Sequence, residues 1–119
     1  MDEECTVNKT VKYLTKKWSL LIILELYKGK GCVKRFSDLK SSLNGITPKV
    51  LSQRLKELED EGLVEKKVIT ESFPVKTEYA LTQSGLEIVE IIKSIKKWAL
   101  KWKIDNIECG EQNCRDCIL

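Results

Sequence analysis

The chain of 119 residues contains no histidine, and that one absence removes a large part of protein chemistry. Neither a Ser-His nor a Cys-His catalytic pair can be assembled, and a mixed Cys/His zinc finger is excluded as well. Long apolar runs are missing too. The longest, Leu20 to Leu24, lies between Lys16-Lys17 and Glu25, far short of the roughly 20 residues needed to cross a bilayer. The start Met1-Asp2-Glu3-Glu4 is acidic and no apolar segment follows it, so no secretory signal is legible. Five cysteines are an odd number, which argues against a structural disulfide framework in a cytoplasmic chain. Nor is there a strong charge of one sign: 21 basic against 18 acidic residues leave a net +3, weak support for a nucleic-acid partner by itself. What remains is one soluble, cytoplasmic domain with a modest core and no enzymatic machinery.

The most informative stretch that is present runs from Thr47 to Leu58. Thr47 is a good N-cap, and Pro48 suits the first helical position, where its missing N–H would have been unpaired anyway. Ile46 and Leu51 occupy the positions of a hydrophobic staple. Leu51, Leu55 and Leu58 recur at helical spacing and must face a core. Lys49, Ser52, Gln53, Arg54 and Lys56 are left outside, and such side chains bond to phosphates and base edges. Between Lys30 and Lys76 stand ten basic and seven acidic residues, four of the acids falling between Glu57 and Glu61. Charge is therefore sorted along the helix with its first half basic. For any single lysine the bland reading is a solvated charge; the set of Lys49, Gln53 and Arg54 on one helix face favours DNA contact.

The neighbours extend this into a motif. Arg35 to Leu43 reads as a helix with Ser37 as its N-cap and Leu39 and Leu43 turned inward, and Asn44-Gly45 tolerates the positive φ of a turn. Two helices around a short Gly-containing turn make a helix-turn-helix. Gly62 ends the second helix, predicted over 48–60. Leu63 to Ile69 then reads as a strand, Ser72-Phe73-Pro74 as a turn and Thr77 to Leu81 as the return strand. The fold class is mainly α with a small β-hairpin, an α+β winged helix-turn-helix with dimerisation helices at both ends.

The ordered set Cys5, Lys17-Trp18-Ser19-Leu20-Leu21-Ile22-Ile23-Leu24, Arg35-Phe36-Ser37-Asp38-Leu39, Gly45-Ile46-Thr47, Leu51 to Glu59, Glu61-Gly62-Leu63-Val64, Pro74, Glu78 to Thr82, Gly85 and Trp98 resembles the HxlR family of winged-helix transcriptional regulators. The likeness spans about residues 5–102 and is more specific than any single motif. It implies a homodimeric DNA-binding repressor or activator. The DNA contacts would come from Arg35, Thr47, Pro48, Lys49, Ser52, Gln53, Arg54 and Lys56, with Lys66, Lys67 and Lys76 of the wing reaching phosphates.

Flanking helices carry the dimer expectation. Val11, Leu14, Trp18, Leu21 and the run Leu20 to Leu24 are predicted to form one helical segment ending at Gly29 and buried almost all round. The last helix is predicted to start after Thr82 as N-cap and to run to about Trp102, with Ile88, Ile91, Ile92, Ile95, Trp98 and Trp102 on its apolar stripe. A domain this small cannot bury both faces of such a helix, so this stripe is the candidate dimer interface. The competing reading is a long intramolecular core helix.

Of the cysteines, Cys5 matches in position the sensing thiol of redox-responsive relatives, with simple packing as the alternative. Cys32 reads as a small buried hydrophobe at the start of a short strand. Cys109, Cys114 and Cys117 depart from the family pattern and lie in an acidic tail, residues 105–119, after a domain over 1–104. They supply three soft ligands, one short of the usual four thiolates of a zinc or iron–sulfur site. A thiol switch, a disulfide or a mobile tail with reduced thiols are the other readings, and no cofactor is otherwise expected. The function expected is a homodimeric regulator of double-stranded DNA, redox-responsive through thiols. The alternative is a thiol redox or metal carrier on the same scaffold.

Overall fold

A computed structural model of the protein describes residues 3–116. In chain order these form α1 (Thr6–Leu14), α2 (Ser19–Lys28), β1 (Val33–Arg35), α3 (Phe36–Ser42), α4 (Pro48–Asp60), β2 (Val64–Ile69), β3 (Lys76–Leu81), α5 (Gln83–Trp102) and α6 (Ile107–Glu111). The three strands form an antiparallel sheet in the order β1-β3-β2, with Val33 opposite Ala80 and Val64 opposite Leu81. Helices α3 and α4 with the β2–β3 hairpin behind them make the expected winged helix-turn-helix.

The local signals explain where α4 lies. Thr47 caps it, its hydroxyl oxygen accepting from the Val50 N–H at 3.2 Å, and Pro48 takes the first position. Gly45 (φ +91°) and Gly62 (φ +81°) bracket the helix in the left-handed region that glycine occupies without steric cost. Leu51, Leu55 and Leu58 are sealed inward with Ile22, Ile23, Leu26, Leu39, Val64 and Val89. Thr82 caps α5 by accepting from the Gly85 N–H, while its hydroxyl donates to the Gly62 carbonyl at 2.6 Å. Ser84 donates to the same carbonyl, and a Cβ at Gly85 would drive into the Leu63 carbonyl. The start of α5 is thereby fixed to the end of α4.

Three expectations are corrected. Ser37 is not the N-cap of α3. The helix begins at Phe36 with Arg35 as N-cap and no side-chain cap, because Arg35 is still paired with Glu78 in the sheet and strand pairing sets the helix start. The apolar segment up to Gly29 is not one helix buried all round. It breaks between α1 and α2, where Thr15 bonds back to the Val11 carbonyl and Trp18 adopts φ +85°. No described residue of α1 is buried, and Leu21 of α2 is half exposed. Cys32 does not start a strand: it ends a 3-10 turn over Lys30–Cys32 at φ +59°.

The segment after α5 packs back onto the domain. Lys96 donates to the Gln112 carbonyl at 2.6 Å, the Arg115 guanidinium stacks 4.5 Å from the Tyr27 ring centroid, and Cys114 packs against the core. Residues 109–115 are thus held against α2 and α5 rather than projecting as a free tail.

Candidate nucleic-acid interface

An α-helix advances about 100° per residue, so Lys49, Ser52, Gln53 and Lys56 span about 100° of α4 and all four are exposed. Leu51, Leu55 and Leu58 occupy the opposite side and are buried. Lys56 is paired with Asp60 at 3.1 Å, and the Asp60 carboxylate, as hydrogen-bond acceptor and as charge, raises the lysine pKa above its ordinary value. For Lys49 there is no ion-pair partner among the described residues. Thr47 and Pro48 are exposed at the start of the same helix.

Arg54 is turned away from this face, which corrects the expectation that it stands outside with Lys49. It lies about 140° round the helix from Lys49, and a line that close to Leu51 and Leu58 meets the protein. Its Nε donates to the Lys17 carbonyl at 3.0 Å, and Nη1 pairs with Glu57 at 2.9 Å. Lys16 closes the group by reaching the other Glu57 oxygen at 2.7 Å. The four residues clamp the α1–α2 connection to the flank of α4. The Lys16 hydrogen bond, aided by the charges of Lys16 and Arg54, holds the Glu57 carboxyl below its ordinary value of 4.5.

A depressed carboxylate pKa contributes stability that is present above the unfolded value and lost as pH falls through the folded one. Wild type is therefore expected to lose melting temperature below about pH 4.5 more steeply than Glu57→Gln, measured by circular dichroism between about pH 7 and pH 3. Identical acid limbs would show that the clamp contributes nothing to stability.

A cleft of about 600 Å³ opens beside α4, lined by Arg35, Phe36 and Ser37 where β1 passes into α3, by Ser52 of α4, and by Lys66, Pro74, Val75, Lys76, Thr77 and Tyr79 of the wing. It gathers three cations and four hydroxyl side chains from five elements, and no carboxylate lines it. Such a set suits a phosphate backbone passing between helix and hairpin. Arg35 is held at its mouth by a loose 3.8 Å pair with Asp38. A larger cleft of about 710 Å³ lies at the end of α4, but Glu59, Glu65 and Glu78 line it and would repel phosphate. Lys67 lines that second cleft and not the first, opposite Glu78 in the sheet, whereas Lys66 lines both clefts and Lys76 only the first. Sequence reasoning missed Ser37 and Thr77 as cleft residues. Their hydroxyls carry no signal until the sheet brings β1 beside β3.

Helix α5 divides the predicted dimer residues. Ile91, Ile95, Trp98 and Trp102 are all more than half exposed and fall within about 60° of one another around the helix. Ile88 and Ile92 instead pack partly against the protein's own core beside Val89. Among the cysteines, Cys5 is half-buried at the N-cap position of α1. Cys32 is half-buried too, its sulfur 3.6 Å from the Arg115 guanidinium, so it is a contact for the returning tail and not a sealed core residue. Cys109 and Cys114 are free and half-buried, and Cys117 lies outside the described residues. Among the described residues no three Cys, Asp or Glu side chains converge on a point where a metal would sit. No described helix is long and apolar enough to cross a membrane.

The sequence pattern described as HxlR-like helix-turn-helix matches residues 13–106. Over 94 residues, 79% of this chain and 83% of the relative, the chain is 44% identical to YvaP of Bacillus subtilis (strain 168), named as an uncharacterised HTH-type transcriptional regulator. Among solved structures, the reduced form of the transcriptional regulator YodB from B. subtilis is similar at TM-score 0.72 and 32% identity, over 86% of this chain and 97% of that one. Diamide-treated YodB is similar at TM-score 0.67 and 32% identity, over 85% and 97%. The redox regulator HypR in its reduced form is similar at TM-score 0.71 and 29% identity, over 82% and 92%. The relatives are regulators, not enzymes.

Proposed function

The chain belongs to the HxlR-like helix-turn-helix family of transcriptional regulators, and on that premise we propose that it binds duplex DNA sequence-specifically, in the cytoplasm, as a homodimer. Helix α4 enters the major groove, where Gln53 and Lys49 meet base edges. The observation that carries this reading is the carboxylate-free cleft between α4 and the wing, flanked by the uncommitted face of Lys49, Ser52 and Gln53. Phosphates held by Arg35, Lys66 and Lys76 position the helix, and the α4 face reads sequence. The exposed stripe Ile91, Ile95, Trp98 and Trp102 pairs with its copy, so that two α4 helices address half-sites about 34 Å apart.

Thiol control is supported by the likeness to YodB in its reduced and diamide-treated forms and to HypR. A physical route exists in this chain. Cys5 stands at the N-cap position of α1, α1 leads into the connection at residues 15–18, and that connection is clamped to α4 through Lys16, Lys17, Arg54 and Glu57. An adduct or disulfide at Cys5 that shifts α1 therefore pulls on the reading helix.

One set of binding isotherms, on duplex DNA from upstream of the chain's own gene and on random duplex, tests both parts. Gln53→Ala is expected to lose roughly 1–3 kcal/mol of discrimination, the value of a bidentate base contact. Diamide is expected to change wild-type affinity and to leave Cys5→Ser unchanged. Equal wild-type affinity for operator and random duplex would end the sequence-specific reading, and indifference of wild type to diamide would end the thiol reading.

A further inference from the structure

Resting on the DNA-binding reading, we propose that Phe73 at the tip of the wing acts as an apolar wedge, inserting at a base step in the minor groove beside each half-site. The wing then reads sequence through DNA deformability, in addition to the base edges read by α4.

Phe73 is 100% exposed, and Val75 of the same loop and Val68 near the loop end of β2 are about half exposed. Three apolar side chains thus crown a hairpin whose β2 and β3 carry Lys66, Lys67 and Lys76. The loop over residues 70–75 has one charged residue, Glu71, which gains nothing from a phosphate, so the apolar side chains are what the loop has to offer a partner. Exposed apolar side chains above a cationic base fit a polyanion with an apolar interior, and stacked bases between phosphate rails are one. Continuity fixes the position. Pro74 and Val75, next to Phe73 in sequence, line the same cleft as Ser52, Lys66 and Lys76, so a DNA strand seated there passes directly beneath the tip. Apolar wedges inserted from the minor groove unstack a step and kink the duplex. That cost is lowest at TA and CA/TG steps, which makes the wedge selective without any hydrogen bond to a base.

The experiment uses the full chain and the upstream duplex, labelled at both ends for energy transfer and carrying 2-aminopurine at successive TA or CA steps. Wild type is expected to shorten the end-to-end distance and to brighten 2-aminopurine at one step per half-site. Phe73→Ala should bind about 10-fold more weakly, within the range of base–aromatic stacking. It should abolish the bend and the brightening and leave the salt dependence of affinity unchanged, because no phosphate contact is lost. Phe73→Leu should retain most of the bend. Lys66→Ala should keep bend and brightening and reduce the salt slope by about 2, one contact being lost from each protomer. Wild-type bend and affinity in Phe73→Ala would overturn the wedge while leaving DNA binding intact. So would a loss of self-association in that variant with DNA geometry unchanged, which would make the tip a contact between copies. Failure of wild type to bind any duplex would instead remove the DNA-binding reading, and the two failures are distinct.

Discussion

Raising salt from about 50 to about 200 mM is expected to weaken operator binding about 10⁴-fold. With Lys56 left out because Asp60 already pairs with it at 3.1 Å, Arg35, Lys49, Lys66 and Lys76 are the cations at the cleft and on the open face of α4, four in each protomer. A pair of protomers neutralising about eight phosphates gives a slope of about −7 in log affinity against log salt, and a fourfold rise in salt then costs about four decades. Arg54 is left out of this count, because its guanidinium is already bonded to the Lys17 carbonyl and Glu57. Lys67 is left out because, unlike Lys66, it lines only the cleft with three carboxylates. The count is therefore open to test by substitution: Lys66→Ala and Lys76→Ala should each remove one contact per protomer and reduce the slope by about 2, whereas Lys67→Ala should leave it near the wild-type value. Titrations followed by fluorescence anisotropy at four or five salt concentrations measure it. A slope near zero would mean that the cleft holds no phosphate.

The difference between Arg54 and Lys49 also marks how far the sequence could be read. What depends on neighbours a few residues away was legible: Thr47 and Thr82 as caps, Pro48 at a first turn, Gly45 and Gly62 at helix boundaries, and the inward line of Leu51, Leu55 and Leu58. The fate of Arg54 depends on a carbonyl 37 residues earlier in the chain, and nothing near Arg54 announces it. The break at Trp18 was hidden by the apolar run that follows it, since periodicity does not register a single left-handed residue. Nothing near Tyr27 in the chain announces that Arg115 returns to stack on its ring and Lys93 to donate to its hydroxyl at 3.2 Å. For α5 the spacing revealed an apolar stripe but not which part of it turns inward. That is decided by the docking of Gly85 and Thr82 on the Gly62-Leu63 corner, which sends Val89 inward and leaves Trp98 and Trp102 outside.

The orientation of α5 sharpens the test of assembly. Ile95→Asp combined with Trp102→Asp is expected to give a folded monomer at micromolar concentration, because Ile95 is 51% and Trp102 64% exposed and neither belongs to the buried core. Among the described residues Ile91, Ile95, Trp98 and Trp102 stay more than half exposed, even with the Lys101 ammonium over the Trp102 ring, and a row of large apolar side chains left in water is what marks an association surface. Two aspartates on that row place charges where an apolar seam would otherwise close, and burying an unpaired carboxylate costs more than the seam returns. The consequence for DNA is large. A monomer has one reading helix and half the phosphate contacts, and it loses the effective concentration that linkage gives the second half-site, so operator affinity should fall about 10²–10⁴-fold. Sedimentation velocity and operator titration, with circular dichroism showing wild-type helix content, separate the possibilities. A folded double variant that remains dimeric would move the interface away from α5, toward the exposed Val7 and Val11 of α1. A monomer that binds the operator as tightly as wild type would show that pairing of half-sites plays no part in recognition.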